Sequence, residues 1–289
     1  MKYGIYYAYW EKQWGGDYVR YPEKVAKLGF DILEISCAGI AGMTESQICD
    51  LNKAADCSGI SLSGNYGPKP VEDITSADPA IVNNAFEFWR ATLETLEKLR
   101  ISFVAGALYS YWPVDYSKEI DKLADWERSV ANMKKLAKIA KSHGVTLGME
   151  VLNRFEGYLL NTAEEAVAYV KEVDEANVKV MLDTFHMNIE EDSMVGAIRT
   201  AGSLLGHLHA GEANRRPPRS GGRFDWNEIG GALREIGYDA TVVMEPFVIS
   251  GGQVGADIKV WRDLVADTSE DALDRDAAAS VKFLRETLG

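Results

Sequence analysis

Short apolar runs and longer amphipathic segments alternate along the whole chain. Runs rich in β-branched and aromatic residues begin at Tyr3 (YGIYYAYW), Asp31 (DILEIS), Ile60 (ISLSGNY), Ser102 (SFVAGALY), Val145 (VTLGMEVL), Val178 (VKVMLDT), Leu204 (LLGHLHAG) and Ala240 (ATVVMEPF). Their length and content predict eight strands. The segments between them repeat their apolar positions with helical spacing, as in WERSVANMKKLAKIAKSHG from Trp126. Helix starts are marked by Thr44 with Gln47 and Thr162 with Glu165, both read as capping boxes, and by Asp78 ahead of Pro79. Gly29, Gly144 and Gly237 follow periodic runs and mark helix ends.

Eight strand–helix units without a composition break predict an α/β protein, a single (β/α)8 TIM barrel forming one catalytic domain over residues 1–289. The last stretch, DALDRDAAASVKFLRETLG, reads as an extra C-terminal helix. A doubly wound open sheet is the competing architecture. It usually carries a glycine fingerprint after its first strand, where this chain has YYAYWEKQW.

Composition narrows the function classes. A formal net charge of −13 argues against a nucleic-acid partner, which would call for clustered Lys and Arg. No apolar run is long enough to predict a membrane span. The three cysteines, Cys37, Cys49 and Cys57, form no CxxC pair and fit a reducing compartment. The start, MKYGIYYAYW, has no leader-like apolar region, so the expected location is the cytoplasm.

In a (β/α)8 barrel, polar residues at the C-terminal strand ends face the active site. Strands five to eight supply Glu150, Asp183, His209 and Glu245, each about one βα unit of ~30 residues from the last. Three carboxylates and an imidazole packed together would repel and take up protons unless a cation lay between them. Three oxygens and one nitrogen suit octahedral Mn²⁺, Co²⁺ or Mg²⁺ better than a structural zinc. His207, two residues before His209, is expected one layer deeper as a hydrogen-bonded core histidine. His143 reads as a surface group at a helix end, and Glu190, Glu191 and Asp192 as a solvated helix start. The run NRRPPRSGGR places Arg215, Arg216, Arg219 and Arg223 after strand seven. A phosphate could bind there or at SGGQVGADIKV after strand eight. The favoured expectation is that three of these arginines pair with surface acids or a neighbouring subunit.

The segments GALYSYWPVDY, MEVLNRFE, VMLDTFHMNIEEDS, GHLHAGEANRR and VVMEPF together resemble the ketose 3-epimerases. This is the D-tagatose 3-epimerase and D-psicose (D-allulose) 3-epimerase family, within the xylose-isomerase-like barrels. The likeness runs nearly end to end. It implies one Mn²⁺ or Co²⁺ per subunit, a homodimer or homotetramer, and a small-molecule ketose as substrate. The metal ligands it implies are Glu150, Asp183, His209 and Glu245, with Glu150 and Glu245 doubling as the acid/base pair. It also implies that Glu156, His186 and Arg215 hold the O1–O2 end of the sugar. Tyr6, Trp14, Trp112 and Phe247 would supply apolar contacts. The implied reaction inverts C3 of a free 2-ketohexose through a cis-enediolate, as between D-fructose and D-psicose or D-tagatose and D-sorbose.

Two segments depart from the family pattern. The loop after strand three usually reads Gly-x-Gly-Pro-Ser and here reads Asn65-Tyr66-Gly67-Pro68-Lys69; the end of strand two is small, at Cys37-Ala38-Gly39. Both bear on the C4–C6 end of the sugar, so the preferred ketose stays open. Competing readings are an aldose–ketose isomerase, a 3-epimerase of another ketose or of a sugar phosphate, a metal-dependent phosphodiesterase acting on DNA, and a non-catalytic sugar-binding barrel.

Overall fold

The computed structural model describes residues 1–289. Its strands are β1 Lys2–Tyr6, β2 Ile32–Ser36, β3 Ser61–Asn65, β4 Phe103–Gly106, β5 Thr146–Glu150, β6 Val178–Asp183, β7 Leu205–Ala210 and β8 Thr241–Met244. All are parallel and pair in chain order, and β8 returns to β1 with Lys2 opposite Thr241 and Ile5 opposite Met244. The sheet is therefore closed and has no free edge.

Ten helices surround it: α1 Tyr21–Leu28, α2 Glu45–Ser58, α3 Pro79–Lys98, α4 Lys122–Ser142, α5 Ala163–Val173, α6 Thr184–Glu190, α7 Met194–Ala201, α8 Trp226–Glu235, α9 Gly252–Ile258 and α10 Glu270–Leu288. The C-terminal helix is present as expected. It packs between α8 and α1 and so fills the eighth place in the ring. The helices beyond the eightfold repeat are the short α6 and α9, which lie at the mouth of the barrel and contribute His186, Asp257 and Ile258 to its pocket.

Local signals set the helix ends. Thr44 and Gln47 form the complete capping box of α2, and Gly59 ends that helix in a left-handed turn. At α5 only half the expected box forms. Thr162 Oγ1 accepts from Glu165 N at 3.2 Å, but Glu165 Oε2 takes Asn161 N, one residue earlier, at 2.7 Å. Glu190 and Glu191 lie at the end of a helix rather than the start of one. The helix begins at Thr184 because Asp183 caps it, accepting from Phe185 N at 2.7 Å. Glu190, half-buried, then pairs with Arg154 at 2.7 Å, and Glu191 accepts from Ala163 N.

The barrel interior is partly polar. Phe103 stacks on His207 with ring centroids 5.2 Å apart. Gly148 leaves room for it: a Cβ there would lie 2.9 Å from the Phe103 ring. A register shift between β6 and β7 skips Gly206, whose Cβ would lie 2.7 Å from that of Lys179. Beyond this bulge His207 is opposite Met181 and His209 is opposite Asp183. The irregularity thus sets the height of both histidines.

Candidate active site

Glu150 ends β5, Asp183 ends β6, His209 is next to last in β7, and Glu245 follows β8. One ligand-type atom from each lies within 4.8 Å of the others. All four residues are buried. His209 Nδ1 is 3.5 Å from Glu245 and 4.0 Å from Glu150, and it has no hydrogen-bonding partner. An orphaned ring nitrogen among three carboxylates fits a divalent cation. Arg215 Nη1 lies 3.1 Å from both Asp183 and Glu245. Three carboxylates facing one guanidinium leave the cluster two positive charges short, and one divalent cation makes up that deficit.

The electrostatics carry the same deficit. Burial, reinforced by the neighbouring Glu245 carboxylate, pushes Glu150 well above the usual carboxylate range. Burial raises Asp183 to about 6 against the opposing pull of Arg215. Burial alone would lower His209, but Glu245 and Glu34 outweigh it and hold the ring well above its ordinary value. His186 moves the other way, kept neutral by burial, Arg215 and His209.

Glu34, in the middle of β2, escaped the sequence reading. It is fully buried beneath the cluster. Its Oε1 is 2.7 Å from His209 Nε2, and its Oε2 accepts from Ser63 Oγ at 2.8 Å. Burial opposes its ionisation, yet His207 and His209 hold it far below the usual carboxylate range. His207 is a core residue, as expected, with Nδ1 2.6 Å from Thr241 Oγ1 and Nε2 3.2 Å from Glu34. Glu34, His207 and His209 also group closely enough to suggest a second cation site. Both oxygens of Glu34 already have hydrogen-bonding partners, however. The trio instead fixes the His209 ring, holding a proton on Nε2 and leaving Nδ1 free.

A cavity of about 360 Å³ opens above the four side chains. Its lining brings together every substrate position expected from the sequence: Tyr6, Trp14, Trp112, Glu156, His186, Arg215 and Phe247. Tyr6, Phe247, Trp14 and Trp112 form a chain of edge-to-face contacts, with centroids 6.2 to 6.3 Å apart. Trp14 Nε1 donates to Asp257 at 2.7 Å. Asn153 donates to His186 Nδ1 through its backbone and side chain, at 3.2 and 2.8 Å. Those bonds leave the ring proton on Nε2, 3.7 Å from Glu150. Arg215 also meets Glu156 at 3.5 Å, and its guanidinium lies 3.8 Å from the centre of the Phe185 ring. Its backbone is left-handed, with φ 63°.

Within the chain, the side chains of Arg216, Arg219 and Arg223 form no ion pair with an acid, which leaves the neighbouring-subunit half of the expectation. Arg216 reaches the Leu264 carbonyl, and Arg223 binds Glu212 through its backbone N–H, at 2.8 Å. Glu212 is instead a loop anchor, also accepting from Trp226 Nε1 at 3.0 Å. His143 pairs with Glu97 at 2.7 Å at the end of α4. No helix is long and apolar enough to cross a membrane.

The model of the xylose isomerase-like TIM barrel family matches residues 22–286. The chain is 56% identical to a D-psicose 3-epimerase of Ruminiclostridium cellulolyticum, over 100% of this chain and 98% of that protein. It is 50% identical to a D-psicose 3-epimerase of Agrobacterium fabrum, over 100% of both. A crystal structure of D-psicose 3-epimerase with D-tagatose from Clostridium cellulolyticum superposes with a TM-score of 0.98. That match has 56% identity and covers 100% of this chain and 99% of that one.

Proposed function

We infer the activity from one premise: the chain belongs to the ketose 3-epimerase family of xylose isomerase-like TIM barrels. It inverts C3 of free 2-ketohexoses, interconverting pairs such as D-fructose and D-psicose, and the whole chain acts as one catalytic domain. The observation that carries this reading is that Glu150 and Glu245 arrive from separate strands on either side of one ligand cluster at the floor of the cavity. Inversion at a carbon bearing hydrogen needs a proton acceptor on one face and a donor on the other.

Glu150, Asp183, His209 and Glu245 would hold one divalent cation, Mn²⁺ or Co²⁺, with Mg²⁺ also compatible with the donor set. When bound, it supplies Lewis-acid polarisation of the ketose carbonyl. Burial makes Glu150 a strong proton acceptor once ionised. One glutamate removes the C3 proton, the sugar passes through a cis-enediolate, and the other glutamate returns a proton to the opposite face. Arg215, His186 and Glu156 converge on one side of the cavity and orient the O1–O2 end. The aromatic chain from Tyr6 to Trp112 packs against sugar C–H faces and excludes water.

The protein acts in the cytoplasm as a homodimer or homotetramer, without nucleic-acid or membrane partners. Phe155 and Trp261, 73% and 75% exposed beside the cavity mouth, support a subunit contact there. The test is D-fructose in deuterated water with Mn²⁺ and with chelator. Deuterium at C3, lost on chelation, is the expected result. Label at C1 instead would mean aldose–ketose isomerisation.

A further inference from the structure

The cavity has two unlike arcs. The four ligand-type side chains come from β5 to β8, while the facing arc presents Tyr6, Ser36, Asn65 and Ala107 from β1 to β4 and the residue after it. Asn65 ends β3, which stands across the closed barrel from β7. Its backbone carbonyl is used, accepting from Cys37 N at 2.9 Å. Its side chain lines the cavity, the residue is only 9% exposed, and its Nδ2 is buried without a hydrogen-bonding partner.

A bare buried amide opposes folding and is rare in native proteins unless something docks against it. Neighbouring polar groups on this arc are already engaged. Ser36 Oγ accepts from Ala38 N at 3.1 Å, and the Tyr66 hydroxyl bonds Glu72 at 2.5 Å. Lys69, exposed, lines the same rim. On this arc the Asn65 amide is therefore the buried donor left without a partner, opposite a carboxylate-rich floor.

Resting on the epimerase reading above, we propose that Asn65 is a specificity-determining residue. Its side-chain amide donates a hydrogen bond to a ketose hydroxyl beyond C4. With the reacting carbon fixed between Glu150 and Glu245, the rest of the sugar extends toward β2 and β3, where Asn65 waits. A ketose that ends at C4 cannot reach it.

The test compares wild type, Asn65→Ala and Asn65→Leu, all with Mn²⁺, on D-fructose and on the ketotetrose L-erythrulose. Leucine keeps the branching of the side chain at slightly greater bulk and removes the amide, while alanine removes the amide without adding bulk. Both variants are expected to raise KM for D-fructose about five- to tenfold, the worth of one hydrogen bond. The kcat for D-fructose and both constants for the ketotetrose should change less than about twofold. Calorimetric binding of the same sugars should show the same selective loss, and it decides the contact without turnover. An unchanged fructose affinity, or equal losses for both sugars, would overturn the proposal. Failure of wild type to exchange the C3 proton would count against the epimerase reading alone.

Discussion

Glu34→Gln tests whether the buried carboxylate beneath the cluster sets the metal affinity. The substitution keeps the shape of the side chain and one acceptor oxygen, and removes a full negative charge. Glu34 lies 2.7 Å from the ring nitrogen of His209 that faces away from the cluster. Ionised, it makes that ring a better donor at Nδ1 and locks its rotation. Partners of this kind contribute about 10–100-fold to metal affinity. Because glutamine still accepts one hydrogen bond, the loss should fall at the lower end, about tenfold or ~1.4 kcal/mol. Glu34→Ala, which also abandons Ser63 and His207, should approach the upper end and lower the melting temperature more. Free Mn²⁺ measured by electron paramagnetic resonance during titration reads the affinity directly. A Glu34→Gln protein that melts lower but binds Mn²⁺ as tightly as wild type would refute the orienting role and leave Glu34 a packing residue.

Glu150→Gln and Glu245→Gln should each reduce C3 exchange by at least about 10³-fold while circular dichroism shows an intact barrel; near-normal turnover in either would end the two-carboxylate scheme. Arg215→Ala should raise KM markedly, because it removes the guanidinium shared by Asp183, Glu245 and Glu156. Arg216→Ala, losing only a contact to the Leu264 carbonyl, should leave KM near wild type, and parallel effects in the two would be contrary to this assignment. Mn²⁺ affinity should fall as the pH drops through about 6, since Asp183 retains its proton up to there and must release it to ligate. Calorimetry across that range would show a flat profile if proton competition were absent.

The eight strands were legible because each is a short apolar run between turn residues, and their ends stood out because charge is rare inside such runs. Equal spacing then aligned Glu150, Asp183, His209 and Glu245 at one height. Glu34 was not legible for a related reason. In ILEIS the alternation groups it with Ile32 and Ser36, opposite Leu33 and Ile35, which reads as the outer face of a half-exposed strand. Here both faces are buried, and the two histidines of β7 that hold its charge reach it across the barrel interior, far away in sequence. The place of α10 in the ring was hidden because amphipathicity shows that a helix packs, without showing between which neighbours. The partner of Arg216 was hidden because it is the Leu264 backbone carbonyl, which leaves no trace in the order of side chains.

Arg215 combines a side chain that the site needs with a backbone that the fold would rather give to glycine. At φ 63° a non-glycine residue costs roughly 1–2 kcal/mol. Glycine would relieve that cost and strip the guanidinium from the carboxylates. Breaking a buried ion pair by removing one partner costs about 3–5 kcal/mol, more than the strain relieved, so the carboxylates hold the arginine in its awkward backbone and even a laboratory selection for heat resistance alone should retain it.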